Sequence, residues 1–228
     1  MDLLQAMRER HSVRSYTEQP IEGKIKKDLT AFVEQCSRES GLHLRLVLDE
    51  PDAFQSLLAH YGKFSGVRNY IVLAGRKGDD LDEKCGYYGE KIVLYAQTLG
   101  LNTCWVALTY SKRKVKIQLE KGEKLCLVIA VGYGTTTGVS HKSKSREQVM
   151  RTQTTPPEWF LKGIDAALLA PTALNQQKFV FSLDGNTVRA EAGTGFYSKV
   201  DLGIAKYHFE LGAGGQKNAD QNISVFGL

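Results

Sequence analysis

Four residues near the N-terminus could together bind an anion. In the segment RHSVR, Arg10 and Arg14 supply two guanidinium groups and Ser12 supplies a hydroxyl. His11 lies between them. Charge-assisted donors of this kind suit a phosphate group, which accepts several hydrogen bonds at once. The alternative is a helix end whose basic residues favour the helix dipole.

A second candidate segment is the loop PTALNQQK, which starts at the helix-ending Pro171. Asn175 and Gln177 alternate along it, so their amides could present paired donors and acceptors to a planar heterocycle or a polyol. The alternative is a capping and turn segment without a ligand. The charged loop KSKSR contains Lys144 and Arg146, which indicate either a further anion site or a solvated surface.

Two further segments need interpretation. GLNTCWVAL carries no charge and could form an apolar wall with a few available backbone N–H groups, although buried core accounts equally well for Cys104 and Trp105. GTGFYS, at 193–198, is similar to a dinucleotide-binding glycine loop. It lacks the third glycine, its preceding strand belongs to a hairpin, and no suitably placed acid follows. No Rossmann unit is therefore predicted.

Hydrophobic spacing predicts the elements that must position these segments. Helices are expected twice in the first forty residues, from Pro51 towards Tyr61, over 88–99, after Pro156-Pro157, and around 201–211. Strands are expected at 42–48, 70–74 and 125–131, and as a hairpin of 179–183 with 187–191. In the first of these strands, the leucines at 42, 44, 46 and 48 should point one way and form a half-buried face.

The mixture of helices, hairpin strands and other strands predicts an α+β fold. Polar residues dominate 135–155, which we expect to be a long loop or a connection and not core, and the best candidate for an internal boundary. No internal repeat is visible. A chain of 228 residues with 42% hydrophobic content can bury a substantial core, in one large domain or two small ones.

Composition excludes several classes of protein. No run approaches the ~18 apolar residues of a membrane helix, and the first ten residues lack the apolar stretch of a secretory signal, so we expect a cytoplasmic protein. The net charge is +5, and the basic stretch 112–116 has no interleaved aromatic residues, which favours a solvated face over nucleic-acid binding. The cysteines are too widely spaced for a zinc site or a disulfide framework. They stand at Cys36, Cys85, Cys104 and Cys126.

Taken together, these segments resemble the nitroreductase family over nearly the whole chain. RHSVRSY resembles the family's flavin-phosphate motif, and 88–90 through GLNTCWV resembles its central helix and turn. APTALNQQKF resembles its Pro-Ser-x-x-Asn-x-Gln loop, and 144–146 resembles the late basic pair that holds the same phosphate. The chain departs from the family where Lys178-Phe179 replaces Pro-Trp, and where Ala107-Leu108 replaces Glu-Gly. The Asn/Gln loop also lies in the C-terminal half instead of after the second helix.

The resemblance implies a single domain over 1–228, with a mixed sheet flanked by helices, in a homodimer whose two FMN sites lie at the interface. It also implies which residues bind the cofactor. Arg10 and Ser12 would contact the phosphate with Lys144 and Arg146, and a backbone N–H near Ala107 or Leu108 would meet the flavin N5. The implied cofactor-binding set is Arg10, His11, Ser12, Arg14, Ala107, Leu108, Lys144, Arg146, Pro171, Thr172, Ala173, Asn175 and Gln177.

The implied activity is that of an FMN-dependent oxidoreductase, which takes hydride from NADH or NADPH and passes it to a small acceptor such as a nitroaromatic or a quinone. The flavin N5 would be the reactive centre, so no catalytic side chain and no metal are expected. This agrees with the lack of a Ser/His/Asp or paired-carboxylate arrangement. The alternative is a flavin-binding carrier or sensor without turnover, because the altered residues near the ring could leave the cofactor bound but idle.

Overall fold

The computed structural model describes residues 1–55 and 61–214 of the 228-residue chain. The helices are α1 (Leu3–Glu9), α2 (Gly23–Ser40), α3 (Leu81–Thr98), α4 (Arg146–Val149), α5 (Glu158–Ala167) and α6 (Ser198–Gly212). The strands are β1 (His43–Val47), β2 (Tyr70–Arg76), β3 (Asn102–Val106), β4 (Glu123–Gly132), β5 (Met150–Thr152), β6 (Phe179–Asp184) and β7 (Thr187–Ala192). The predicted α+β class is confirmed. No helix in the described ranges is long and apolar enough to cross a membrane.

The chain forms two compact units, each built from separate stretches of sequence. The first contains the described residues of 1, 9–81 and 91–140. The second contains 2–8, 82–90 and the described residues from 141 onward. Helix α3 therefore contributes its N-terminal half to the second unit and its C-terminal half to the first.

The first unit contains a four-stranded antiparallel sheet in the order β1-β2-β4-β3. The central strands β2 and β4 are the apolar runs that the sequence predicts at 70–74 and 125–131. They are buried over 70–75 in β2 and over 126–132 in β4. On one face, Tyr70, Val128 and Cys104 belong to a core that also contains aromatic residues. Strand β3 lies at an edge of this sheet, and the N-terminal candidate segment is hydrogen-bonded to β3.

Strand β1 differs from its predicted pattern. Leu44 is buried and Leu46 is half-buried, as expected for one face of the strand. Val47, which points the other way, is also buried because it packs beside Tyr70 in the core cluster. The physical reason is that residues on both faces of this sheet are buried, whereas a simple alternation describes a sheet with one solvated face.

The second unit contains α5 and α6, which pack on each other, and a three-stranded sheet in the order β5-β6-β7. The predicted hairpin is confirmed as β6 and β7, which pair antiparallel with Asp184 opposite Thr187. The stretch 135–155, expected as a long loop or a connection, contains the short elements α4 and β5. A capping box between Ser145 and Gln148 starts α4, and β5 then pairs parallel with β6.

Two helices of the second unit approach each other through glycine. A Cβ at Gly86 of α3 would lie 2.1 Å from the carbonyl oxygen of Val200, and one at Gly203 of α6 would lie 2.0 Å from that of Glu83. Neither position therefore tolerates a side chain in this packing.

The other predicted helices are confirmed as α1, α2, α3, α5 and α6. The helix expected over 88–99 begins earlier, at Leu81, and ends close to the predicted position, where Gly100 adopts a φ of +80° after the cap residue Leu99. The helix expected from Pro51 towards Tyr61 is described only at its start, where a single 3-10 turn covers Asp52–Phe54. Residues 56–60 of that prediction, and the C-terminal tail from 215, lie outside the described residues.

Candidate functional site

The N-terminal candidate segment lies along the free edge of β3. Val13 donates its backbone N–H to the carbonyl of Thr103 at 3.0 Å, and Ser12 forms an isolated parallel bridge to the same residue. Further along, the N–H of Tyr16 donates to Ser65 at 3.0 Å and that of Thr17 donates to Tyr133 at 2.8 Å. The backbone from Ser12 to Thr17 is therefore held by several neighbouring segments, while Arg10 directly follows the end of α1.

Tyr16 fixes the far end of this segment. Its hydroxyl donates to the carbonyl of Val13 at 2.7 Å inside the core. Burial raises the pKa of this phenol well above its ordinary value. Gly66, with a φ of +67°, passes so close that a Cβ would lie 2.2 Å from the carbonyl oxygen of Tyr16, so only glycine fits here.

The basic residues of the segment differ in depth. The Arg10 side chain is only 3% exposed, Ser12 is half-buried and Arg14 is exposed. All three influence the pKa of the Cys104 thiol in β3. Burial raises this pKa, while the positive charges of Arg14 and Arg10 and a side-chain hydrogen bond with Ser12 oppose the rise. Two positive charges and a hydroxyl therefore converge beside one point of β3.

The remaining candidates of the first unit flank the same strand. Ala107 and Leu108 directly follow β3, and Leu108 is 56% exposed. His11 is half-buried against Gly138, where a Cβ would lie 2.8 Å from the Cβ of His11. Thr103 adds a buried hydroxyl that has no hydrogen-bond partner among the described residues.

A half-open cavity of about 410 Å³ lies elsewhere in the first unit. Phe54 and Phe64 contribute aromatic walls, and Glu18 and Arg68 contribute charge at its rim. The guanidinium of Arg14 lies 6.0 Å from the centre of the Phe64 ring, at cation–π distance. This volume falls within the range of small-molecule sites, roughly 300–1,000 Å³.

The candidate loop of the second unit has a strained backbone. Leu174, Asn175 and Gln177 have φ angles of 54°, 52° and 44°, in the left-handed region that residues with a Cβ seldom adopt. The predicted extended stretch is therefore wrong in its geometry, since the loop contains a 3-10 turn over Ala173–Asn175. Clustered backbone strain of this kind is typical of functional loops.

The amides of this loop are hydrogen-bonded within the protein. Gln177 is buried and accepts from the backbone N–H of Lys144 at 2.9 Å. It donates to the carbonyl of Lys142 at 2.9 Å and to the side-chain oxygen of Asn175 at 2.8 Å. Asn175 also donates to Lys142, at 2.9 Å. The two segments that the sequence identified separately are thus joined into one loop pair.

The basic residues of the second unit have partners of their own. The Lys144 ammonium donates to the carbonyl of Gln177 at 2.9 Å. Arg146 forms two 2.6 Å hydrogen bonds with the carboxylate of Asp165, and both side chains are about half exposed. In this arrangement Lys144 shapes the loop and Arg146 is part of a surface ion pair.

Asp201 is a residue of this site that the sequence did not identify. It is 2% exposed and accepts from the Ala173 backbone N–H at 2.9 Å and from the Gln176 amide at 2.7 Å. Burial raises its pKa to about 6, against the opposing effect of these two donors. An acid in the first turn of a helix is a common dipole partner, so the sequence carried no signal of its contact with the loop.

The sequence-predicted residues therefore fall into two groups, one in each unit. The first group surrounds β3 and contains Arg10, His11, Ser12, Arg14, Ala107 and Leu108. The second group forms the loop pair and its surroundings and contains Lys144, Arg146, Pro171, Thr172, Ala173, Asn175 and Gln177. No cluster of three or more His, Cys, Asp or Glu side chains suited to a metal ion occurs among the described residues. All four cysteines are buried free thiols.

Several solved structures share this fold. A "putative nitroreductase" of Thermotoga maritima is 24% identical with a TM-score of 0.65, and the match covers 92% of this chain and 83% of that one. A "putative NADH dehydrogenase/NAD(P)H nitroreductase" of Parabacteroides distasonis is 21% identical with a TM-score of 0.51, over 64% and 95%. A "putative nitroreductase in complex with FMN" of Desulfovibrio desulfuricans is 15% identical with a TM-score of 0.52, over 68% and 98%. At these identities the likeness shows the fold.

The family assignment comes from the sequence. No curated protein matches the chain significantly. The family model described as "Putative TM nitroreductase" matches residues 2–213, which confirms the resemblance inferred from the separate motifs. Because this match spans nearly the whole chain of 228 residues, the protein belongs to that nitroreductase family.

Proposed function

We propose that the protein is an FMN-dependent oxidoreductase that accepts hydride from NADH or NADPH and delivers it to a small acceptor such as a nitroaromatic or a quinone. The observation that carries this proposal is the convergence of Arg10, Ser12 and Arg14 beside β3, in a chain that belongs to a nitroreductase family. The FMN held by the Desulfovibrio desulfuricans protein of the same fold supports the choice of cofactor.

The donor set of the first unit fits FMN chemically. A phosphate dianion needs charge-assisted donors, which Arg10 and the Ser12 hydroxyl would supply from the segment bridged to β3. Arg14 is exposed and adds positive charge that would favour electron density on the pyrimidine edge of a flavin. When bound, FMN supplies hydride transfer through its N5 atom, so the side chains need only bind, orient and screen it.

The second unit contributes amide groups and a rigid loop. Asn175 is exposed while its side chain is hydrogen-bonded to Lys142 and Gln177, which orders it for contact with a ligand. We assign the phosphate to Arg10 and Ser12 because both adjoin the same point of β3. Lys144 donates to Gln177 and Arg146 pairs with Asp165. We further propose that the protein is a cytoplasmic homodimer that does not bind nucleic acid.

A second candidate function is a flavin carrier or sensor without turnover. The internal hydrogen bonds of Gln177 and the replacement of Glu-Gly by Ala107-Leu108 favour it, because fewer groups are then available to adjust the flavin ring. The two candidates share the cofactor and differ only in whether the bound flavin is reduced and reoxidised.

Anaerobic addition of NADH or NADPH to the FMN-loaded protein tests the proposal. We expect the visible flavin absorbance to disappear within the mixing time of a stopped-flow experiment and to return when a quinone is added. Retention of FMN with no reduction by either donor would support the carrier. Failure of the purified protein to retain FMN would contradict both candidates.

A further inference from the structure

The loop of the second unit keeps a conformation that its own residues disfavour. Leu174, Asn175 and Gln177 all have positive φ, and none of them is glycine. A residue with a Cβ has a higher conformational energy in this region. Three such residues within four positions persist only if contacts with their surroundings stabilise them. The contacts that hold the loop are therefore functional candidates in their own right.

Asp201 provides such contacts from the first turn of α6. One carboxylate oxygen accepts from the Ala173 N–H at 2.9 Å, at the start of the strained turn. The other accepts from the Gln176 amide at 2.7 Å, and the same amide donates to the carbonyl of Phe196 at 2.6 Å. The strained residues Leu174 and Asn175 lie between these two attachment points.

An ordinary helix cap does not explain this acid. A capping carboxylate accepts from N–H groups at the start of its own helix. The two hydrogen bonds of Asp201 instead reach residues 28 and 25 positions earlier in the chain. The residue at the cap position of α6 is Tyr197, and it makes no side-chain capping bond.

We propose that Asp201 is a positioning residue that holds the Thr172–Gln177 loop in the shape that presents Asn175 to the cofactor. The attachment of the loop to Asp201 is independent of any ligand. The presentation of Asn175 to the cofactor rests on the function proposed above. The ionised carboxylate is the active form, because both of its contacts are with donors.

The surroundings of Asp201 favour a titration that can be observed. Burial raises the pKa of Asp201 to about 6, and the hydrogen bonds from Ala173 and Gln176 oppose this rise. Three pairs of side chains link α3 and α6: Lys206 with Glu83, His208 with Glu90, and Glu210 with Tyr87. Lys178 of the neighbouring loop donates to the carbonyl of Thr194.

The attachment is tested by the chemical shift of the Ala173 amide as a function of pH, measured without flavin. We expect this amide to titrate with a midpoint near 6 in the wild-type protein and to lose the titration in Asp201→Asn. Asp184→Asn, a change of the same type at an exposed position of the same unit, should leave it intact. An Ala173 amide that does not titrate, or that titrates equally in Asp201→Asn, would overturn the proposal.

Gln176→Met keeps the backbone contact and removes the side-chain donor. Because this donor lowers the pKa of Asp201, the midpoint of the Ala173 titration should move to higher pH in the variant. This arm remains decisive if Asp201→Asn does not fold. An unchanged midpoint would show that Gln176 does not act on the carboxylate.

The consequence for the cofactor is tested separately, by titrating flavin-free protein with FMN at pH 7.5. Asp201→Asn should weaken FMN binding about tenfold, as expected for loss of a charge-assisted contact, and Asp201→Glu should restore part of it. If wild-type protein does not bind FMN while the Ala173 amide titrates as expected, the proposed function fails and the attachment stands. If wild type and Asp201→Asn bind FMN equally, the positioning role is wrong.

Discussion

The imidazole Nε2 of His208 and the carboxylate Oε1 of Glu90 lie 2.9 Å apart, and neither side chain has any exposed surface. The other ring nitrogen, Nδ1, lies 3.1 Å from the carbonyl oxygen of Ala166, which can only accept. Nδ1 is therefore placed to donate to Ala166, while Nε2 faces the Glu90 carboxylate. This buried pair joins α3, α5 and α6 of the second unit.

The first prediction concerns the contribution of that pair to stability. His208→Leu and Glu90→Leu each break the buried pair and leave one polar side chain in the core. Each change should therefore lower the free energy of unfolding by about 3–5 kcal/mol. The double variant should lose less than the sum, as measured by urea unfolding in a double-mutant cycle. Lys162→Ala, which breaks the exposed ion pair with Glu158, is the control and should cost less than about 1 kcal/mol. Additive losses would show that the two side chains do not interact.

The second prediction concerns the phosphate of the flavin. Arg10→Ala should weaken FMN binding about 10- to 100-fold, because a charge-assisted contact is lost, and should change riboflavin binding little. Fluorescence titration with both flavins measures this. Arg8→Ala is a matched change at an exposed position two residues away and should bind FMN normally. Equal wild-type affinity for FMN and riboflavin would show that Arg10 and Ser12 do not form a phosphate site.

The third prediction concerns the order of the reaction. Donor and acceptor must both place their reacting atoms near N5, so they should exclude each other and give parallel double-reciprocal plots. On the proposed placement of Arg14 near the flavin ring, Arg14→Met removes positive charge there. It should therefore slow the reduction step by an amount equivalent to about 1–3 kcal/mol while FMN remains bound. Intersecting plots, or a normal rate of reduction in Arg14→Met, would count against this mechanism.

The fourth prediction concerns the oligomeric state. If Asn175 of one subunit and Arg10 of the other serve the same flavin, neither Arg10→Ala nor Asn175→Ala alone should retain tight FMN binding. Co-expression of the two variants with different affinity tags should recover one intact site in each mixed dimer. Sedimentation analysis that finds an active, FMN-loaded monomer would rule this sharing out.

The fifth prediction concerns pH and stability. The pKa of Asp201 is raised from an ordinary value of 3.8 to about 6 in the folded protein, so the folded state binds its proton more tightly than the unfolded state. The resulting stabilisation is fully present below pH 4 and is lost as the pH rises through 6, with a size of about 3 kcal/mol. The free energy of unfolding of the wild type minus that of Asp201→Asn, measured in urea at each pH, should show this slope. A difference that does not change between pH 4 and pH 7 would contradict the raised pKa.

Much of the fold follows from local pattern. The buried runs that became β2 and β4, and the helix that ends before Gly100, carry periodicity and turn signals that depend only on neighbouring residues. Strand β5 could not be predicted, because its three residues gain their conformation from pairing with β6 about thirty positions later. The second buried face of β1 depends in the same way on distant packing.

The candidate site likewise contains residues that local sequence reveals and residues whose contacts are too distant to be predicted. Arg10, Ser12 and Arg14 were recognisable because their types and spacing occur within five residues. Asp201 was not, because its contacts join segments separated by 25 and 28 positions. Similarly, the Gln177 amide, which the sequence predicts could be presented to a ligand, is buried in the structure, because its partners lie in the distant loop that contains Lys142 and Lys144.

The discontinuous composition of the second unit limits how this protein can be recombined. A gene fragment that encodes only residues from 141 onward would omit the part of α3 that carries Gly86 and Glu90. Gly203 would then lose the backbone against which it packs, and His208 would lose its buried carboxylate. Neither unit is therefore an exchangeable module, and a crossover between 140 and 141 would separate interacting halves and not independent domains.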